Sequence, residues 1–139
     1  MVEFTVAATA LLLLMFGIIQ FGQVLYTYHA VSNAARLGAR WAIVRGSGCA
    51  APLDHCNASG TDVQDYVRAQ APILDTGSLA VSTSWSTSTD PTVACGTGGT
   101  NVPGHNVCVT VTYPFHFALP FVSSSTLTLS STSKMVISN

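Results

Sequence analysis

From Phe4 to Leu25 the chain has no charged residue, and Gln20 and Gln23 are its only strongly polar side chains. Roughly 20 helical residues cross a hydrocarbon layer about 30 Å thick, so this run is long enough to span one. It contains no proline and two glycines, Gly17 and Gly22, so nothing in it forces a break. One carboxylate, Glu3, stands before it, and the next formal charge is Arg36.

The helical pattern outlasts the apolar run. From Tyr26 to Val44 there is no proline, and the sequence becomes amphipathic. Ala30, Ala34, Gly38 and Ala42 recur every four residues as a stripe of small side chains, with Val31, Ala35, Ala39 and Ile43 beside it. Arg36, Arg40 and Arg45 supply polar positions. At 1.5 Å per residue, Val2–Arg45 would be one helix roughly 65 Å long, about twice the apolar thickness of a membrane. Its first half is expected in lipid or in an apolar filament core. Its second half is expected against the rest of the chain or against neighbouring helices. This divides the chain into a hydrophobic helix, 1–45, and a head, 46–139.

The head must fold with few charges. Only 8% of the 139 residues are Asp, Glu, Lys or Arg, where about 25% is usual for a soluble domain. The net charge of −1 gives no basic surface for nucleic acid. The four cysteines, 49, 56, 95 and 108, all follow the apolar run. An even number in a small, Gly/Ser/Thr-rich segment suits disulfides in an oxidising compartment. Three pairings are open. The local pairs Cys49–Cys56 and Cys95–Cys108 are favoured because each encloses or borders turn residues. Zinc is the competing use of these thiols, but no close pair such as C-x2-C is present. A secretory signal peptide fits poorly, since an acid precedes the apolar run and the helix continues far beyond it. The N-terminus is therefore expected to be the working end of a mature chain or of a chain without a leader.

Gly46-Ser47-Gly48 is expected to end the long helix. Asn57-Ala58-Ser59 matches a glycosylation sequon, which makes Asn57 a candidate modification site. A short helix is expected over Asp62–Ala71, capped by Thr61 with Gln64 closing a capping box and Pro72 stopping it. Tyr66 on that helix reads as core. The period then changes to 2. Strands are expected over 79–86, 106–117 and 126–137, joined as an antiparallel meander whose apolar face covers the second half of the long helix. The fold class is α+β, with a long N-terminal helix on a small sheet and two disulfides.

No catalytic constellation emerges. His29, His55, His105 and His116 are scattered. In Asp54-His55-Cys56, sequence neighbours point apart and cannot form a triad by adjacency. Gly96-Thr97-Gly98-Gly99 lacks the Lys-Ser/Thr and the helix of a phosphate loop. Trp41, Trp85, Tyr26, Tyr28, Tyr66 and Tyr113 read as too dispersed to form a binding cage. Tyr26 and Tyr28 suit either a membrane interface or packing between subunits. No residue set calls for a cofactor, a metal or an enzymatic activity. Glu3 is the one chemically pointed residue. A carboxylate at the head of a lipid-length segment is costly unless partnered, and its partner could be its own helix N-terminus or the amino group of a neighbouring chain. An exposed acid at the membrane surface is the plainer alternative.

Three stretches carry a family resemblance. They are Val2-Glu3-Phe4, the end of the apolar run Leu14-Met15-Phe16-Gly17-Ile18-Ile19-Gln20-Phe21-Gly22, and Tyr28-His29-Ala30-Val31-Ser32-Asn33-Ala34-Ala35-Arg36-Leu37-Gly38-Ala39-Arg40. Together they resemble the TadE-like pseudopilins of tight-adherence pilus systems, over about the first third of the chain. The resemblance implies a bacterial, type IV pilin-like subunit, processed by a prepilin peptidase and held in the inner membrane before the assembly machinery moves it into an extracellular filament. It implies a homo-oligomer that serves adhesion or surface attachment. The family's N-terminal Glu matches Glu3. Glu3, Phe4, Ala30, Ala34, Gly38 and Ala42 are the candidate subunit-assembly residues. The competing expectation is a monomeric bitopic membrane protein, or a minor pseudopilin, whose head binds a ligand.

Overall fold

A computed structural model of the protein describes residues 2–88, 90, 95–96, 98–117 and 126–138. Among them are two helices, α1 (Val2–Ile43) and α2 (Gly60–Gln70), and three strands, β1 (Ala80–Ser86), β2 (Asn106–His116) and β3 (Thr126–Val136). The strands form one antiparallel sheet in the order β1-β2-β3, the expected meander, with each strand within a residue or so of its expected bounds.

α1 is continuous for 42 residues, and its two halves have opposite surroundings. In the second half, Val31, Ala34, Ala35, Gly38, Ala39 and Ala42 are buried. Five of these six side chains have at most one carbon, so the helix axis can lie close to whatever covers it. Its cover is β2, β3 and α2. On β2, Val107, Val109 and Val111 are fully buried. The register places Met135, Ser133 and Ser131 of β3 opposite them, so the helix-facing side of β3 also carries small residues. The other face of the sheet is hydroxylic. Thr110 bonds Thr132 at 2.8 Å and Thr112 meets Ser130 at 3.4 Å across the strands. Pro114 falls beyond the end of β1, where β2 has a strand on one side only, as a residue without an N–H requires.

α2 begins two residues before the expected start, and its cap is Ser59, not Thr61. Ser59 takes an extended conformation and accepts from Asp62 N, while the Asp62 carboxylate accepts from Ser59 N at 2.8 Å. The capping box is thus closed by Asp62, and Gln64 instead reaches β1, donating to the Val81 carbonyl at 3.4 Å. The buried face of α2 is Val63 and Val67. It meets α1 at Gly38, where a β-carbon would come within 2.6 Å of Val67 Cγ2 and 3.1 Å of Val109 Cγ1.

Both favoured disulfides are present, Cys49–Cys56 and Cys95–Cys108, and no described cysteine is free. The segment after Cys95 straps across the end of the head. Gly99 N donates to the Trp85 carbonyl at 3.0 Å, and a β-carbon at Gly99 would collide with that carbonyl at 2.4 Å. Asn101 joins three segments. Its Nδ2 donates to Arg45 O at 3.1 Å and Ala58 O at 3.0 Å, and its own carbonyl accepts from Ser47 N at 2.7 Å. The buried Asn106 side chain donates to the carbonyls of Ser88 and Asp90. Ser138 N, after β3, donates to Ile43 O at 3.0 Å, closing the head around the end of α1.

Candidate functional site

Among the described residues, nothing buries the apolar first half of α1. Its most apolar 18-residue window has none of its residues buried. Phe4 is 79% exposed, Leu11 60% and Phe21 65%. An apolar surface of this extent is normally covered by a membrane or by protein. α1 is long and apolar enough to cross a membrane, by length and composition. Its hydroxyls are satisfied locally: Thr9 Oγ1 donates to Thr5 O at 2.8 Å and Thr27 Oγ1 to Gln23 O at 2.9 Å. Thr9 and Thr27 therefore bring little unmet polarity into an apolar setting. Tyr26 and Tyr28, both exposed, mark the end of the bare segment.

The candidate assembly residues divide between the two halves. Glu3 and Phe4 lie exposed in the first turns. Ala34, Gly38 and Ala42 are buried against α2 and the sheet of their own chain, and Ala30 is half-buried at the edge of that contact. The small-residue stripe is therefore a seam within the head. Of the two partners its spacing allowed, the intrachain one holds the stripe, because a residue already covered by Val67 and Val109 has no surface for a neighbouring helix.

In the head the structure joins residues that looked unrelated in sequence. Trp41 of α1 stacks on Tyr66 of α2, with centroids 5.1 Å apart and planes 20° apart. Tyr66 is thus half-exposed against a tryptophan, not in the core. His55 lies 6.2 Å from Trp41, with its Nδ1 3.6 Å from Asp62 Oδ1. The Arg45 guanidinium sits 4.3 Å over the Trp41 ring, where its charge meets the face of the indole, and its Nε donates to Asp54 O at 2.9 Å. Trp41, His55, Asp62, Asp65 and Tyr66 line a cleft of about 200 Å³. The Ser59 hydroxyl and backbone N–H hold the Asp62 carboxyl below its ordinary value of 3.8, with His55 adding to the effect. Asp62 is therefore held as an anion there. No local sequence signal announces this cleft, because Trp41 and Tyr66 lie on different helices.

Among the other candidates, Asn57 is exposed, but the sequon's Ser59 hydroxyl is engaged at 2.6 Å with Asp62. Cys56 is in a disulfide, so Asp54-His55-Cys56 holds no free thiol. Among the described residues, no group of three His, Cys, Asp or Glu is placed to hold a metal.

Residues 1–40 match the family model described as TadE-like protein. No curated protein and no solved structure matches the chain significantly.

Proposed function

We propose that this chain, TadE-like over residues 1–40, is a structural subunit of a Tad-type, type IV pilus-like filament. It polymerises through the first half of α1 and displays the head outward for adhesion or surface attachment. Before assembly the same segment anchors the subunit in the inner membrane, where a prepilin peptidase and the pilus assembly machinery act on it.

One observation carries the reading: α1 is half buried and half bare. One face of its second half is buried by the head, and its first half is apolar, unbroken and uncovered by the described residues. A membrane anchor alone needs roughly 20 apolar residues. A filament subunit needs such a segment to serve twice, first in lipid and then against other copies. A rigid helix continuous with the head core transmits the position of one to the other. Disulfides form and persist in oxidising compartments, so the two in the head support a head outside the cytoplasm.

The test is negative-stain microscopy of material sheared from cells expressing the full chain, with mass spectrometry of the filaments. Filaments containing this chain are expected. Confinement of the chain to the membrane fraction, with no filaments, would overturn the reading in favour of a bitopic protein whose head binds a ligand.

A further inference from the structure

The chain has few charges, and most are accounted for internally. Arg45 binds Asp54 O and Trp41, Arg68 donates to Leu79 O, and Lys134 donates to Asp90 O. Two cations stand apart. Arg36 and Arg40 are exposed on α1 and have no partner among the described residues. They are four residues apart, so their like charges sit over one another on one face, which mildly destabilises a helix by itself. With 100° per residue, that face is opposite the buried one that carries Val31, Gly38 and Ala42. Asp65 is an exposed acid that also has no partner among the described residues, and it lies in the cleft beside the Trp41–Tyr66 stack and the anionic Asp62.

We infer that the aromatic–acidic cleft of one copy receives the Arg36/Arg40 ridge of a second copy. The chemistry matches on both sides. A guanidinium binds carboxylate by charge-assisted hydrogen bonds, and the cleft offers the exposed Asp65 beside Tyr66, while the Trp41 ring is already engaged by Tyr66 and by the chain's own Arg45. The ridge and Trp41 lie about 100–140° apart around α1, so a molecule cannot satisfy its own ridge, and the contact is heterologous. Such contacts propagate into open helical arrays unless the rotation closes. Copies that share one membrane have parallel helices, and residues 36–41 span about 8 Å of axis, so the contacting copies are nearly level. Anionic lipid is the other ligand that arginines commonly take. However, Arg36 and Arg40 lie roughly 16–22 Å along the helix beyond Leu25, and a headgroup layer is only about 5–8 Å deep.

The inference rests on self-association, as the filament reading does, but it is tested separately. In the full-length chain, a photo-crosslinking benzoylphenylalanine at Tyr66 keeps an aromatic wall, and a reciprocal one at Asn33 sits beside the ridge. The Tyr66 probe should yield adducts to segment 29–40 of another copy, and the Asn33 probe adducts to segment 54–68. The double substitution Arg36→Glu with Arg40→Glu should lower the yield from the Tyr66 probe by about tenfold, equivalent to ~1.4 kcal/mol. Asp65→Arg should lower the yield from either probe similarly, and combining it with the double substitution should restore the Tyr66 adduct. Protease resistance of the head reports that each variant is folded. Adducts to lipid, adducts elsewhere on the protein, or no adducts from either probe would overturn the contact. Filaments without these adducts would defeat the contact alone. Adducts without filaments would uphold the contact and defeat the filament reading.

Discussion

Gly38 is where the helix and the head meet most tightly, and its substitutions separate two opposing effects. In a helix interior, Gly→Ala is worth up to about 1 kcal/mol of stabilisation from propensity. At Gly38 the added carbon would lie 2.6 Å from Val67 Cγ2, and Val67 is itself buried, so overpacking costs on the order of 1–3 kcal/mol. Overpacking wins. Gly38→Ala should lower the thermal midpoint of the head, and Gly38→Leu should lower it much further. Gly22→Ala, with nothing within 4 Å, should leave the midpoint unchanged or raise it. A rise on Gly38→Ala would show that the seam is looser than described. Asn101 is a second such point. Asn101→Ala would remove the side-chain donor to Ala58 O and one of two donors to Arg45 O, which keeps Ala58 N–H, at about 1–3 kcal/mol, read from denaturant unfolding. The acid limb of stability also has a residue-level source. The carboxyls of Asp62 and Asp75 are held below 3.8 by the Ser59 and Ser78 hydroxyls and by neighbouring backbone N–H groups. A depressed folded-state pKa contributes stability that is present above the ordinary carboxylate value and is lost as pH falls through the folded-state value. Melts should therefore weaken on acidification below about pH 4, and Asp62→Asn should flatten part of that dependence. An unaltered acid limb in Asp62→Asn would assign it to other groups.

At the scale of elements, legibility followed periodicity. The unbroken apolar run and the Ala/Gly repeat predict α1 to within two residues. The alternation Val107, Val109, Val111 predicts the buried face of β2, because a strand's side chains must alternate. The loops with cysteines at either end predict both disulfides. Features without a period leave more than one structure open. Thr61 with Gln64 has capping-box spacing, yet Asp62 serves Ser59 equally well and starts the helix earlier. The Ala/Gly stripe announces close approach but not what approaches, since an α2 valine and a neighbour's helix make the same demand for small side chains. Asn101, Asn106 and the Trp41–Tyr66 stack are contacts between distant segments with no repeat to betray them. The disulfides themselves are testable at this scale. Loops closed over separations of 7 and 13 residues should each contribute about 2–3 kcal/mol in the chain-entropy model, with the 95–108 bridge contributing slightly more. Cys→Ala pairs measured by denaturant unfolding would check both the size and the order.

For the whole molecule, the filament reading raises the question of how an apolar rod attached to a hydroxyl-rich head would find one position among its copies. Apolar contact is non-directional, so the bare half of α1 can drive association but cannot by itself fix how far one helix slides along another. Glu3 can. It is the only charge in the first 35 residues and lies in the first turn, where the helix dipole favours an anion. Enclosed among other copies without a partner, a carboxylate there would cost several kcal/mol. Paired with a neighbour's amine or with helix N-terminal N–H groups, it would favour one axial register over the rest. Glu3→Gln preserves size and removes the charge. It should reach the membrane fraction at normal levels, because a neutral side chain enters an apolar layer more easily, but give little sheared filament. Glu3→Leu should insert equally well and assemble no better, although it adds apolar surface. The quantity to measure is filament yield relative to membrane-fraction subunit for each variant. Wild-type yield from Glu3→Gln would reduce Glu3 to a surface anchor and leave the head contacts, not the N-terminus, to set the register.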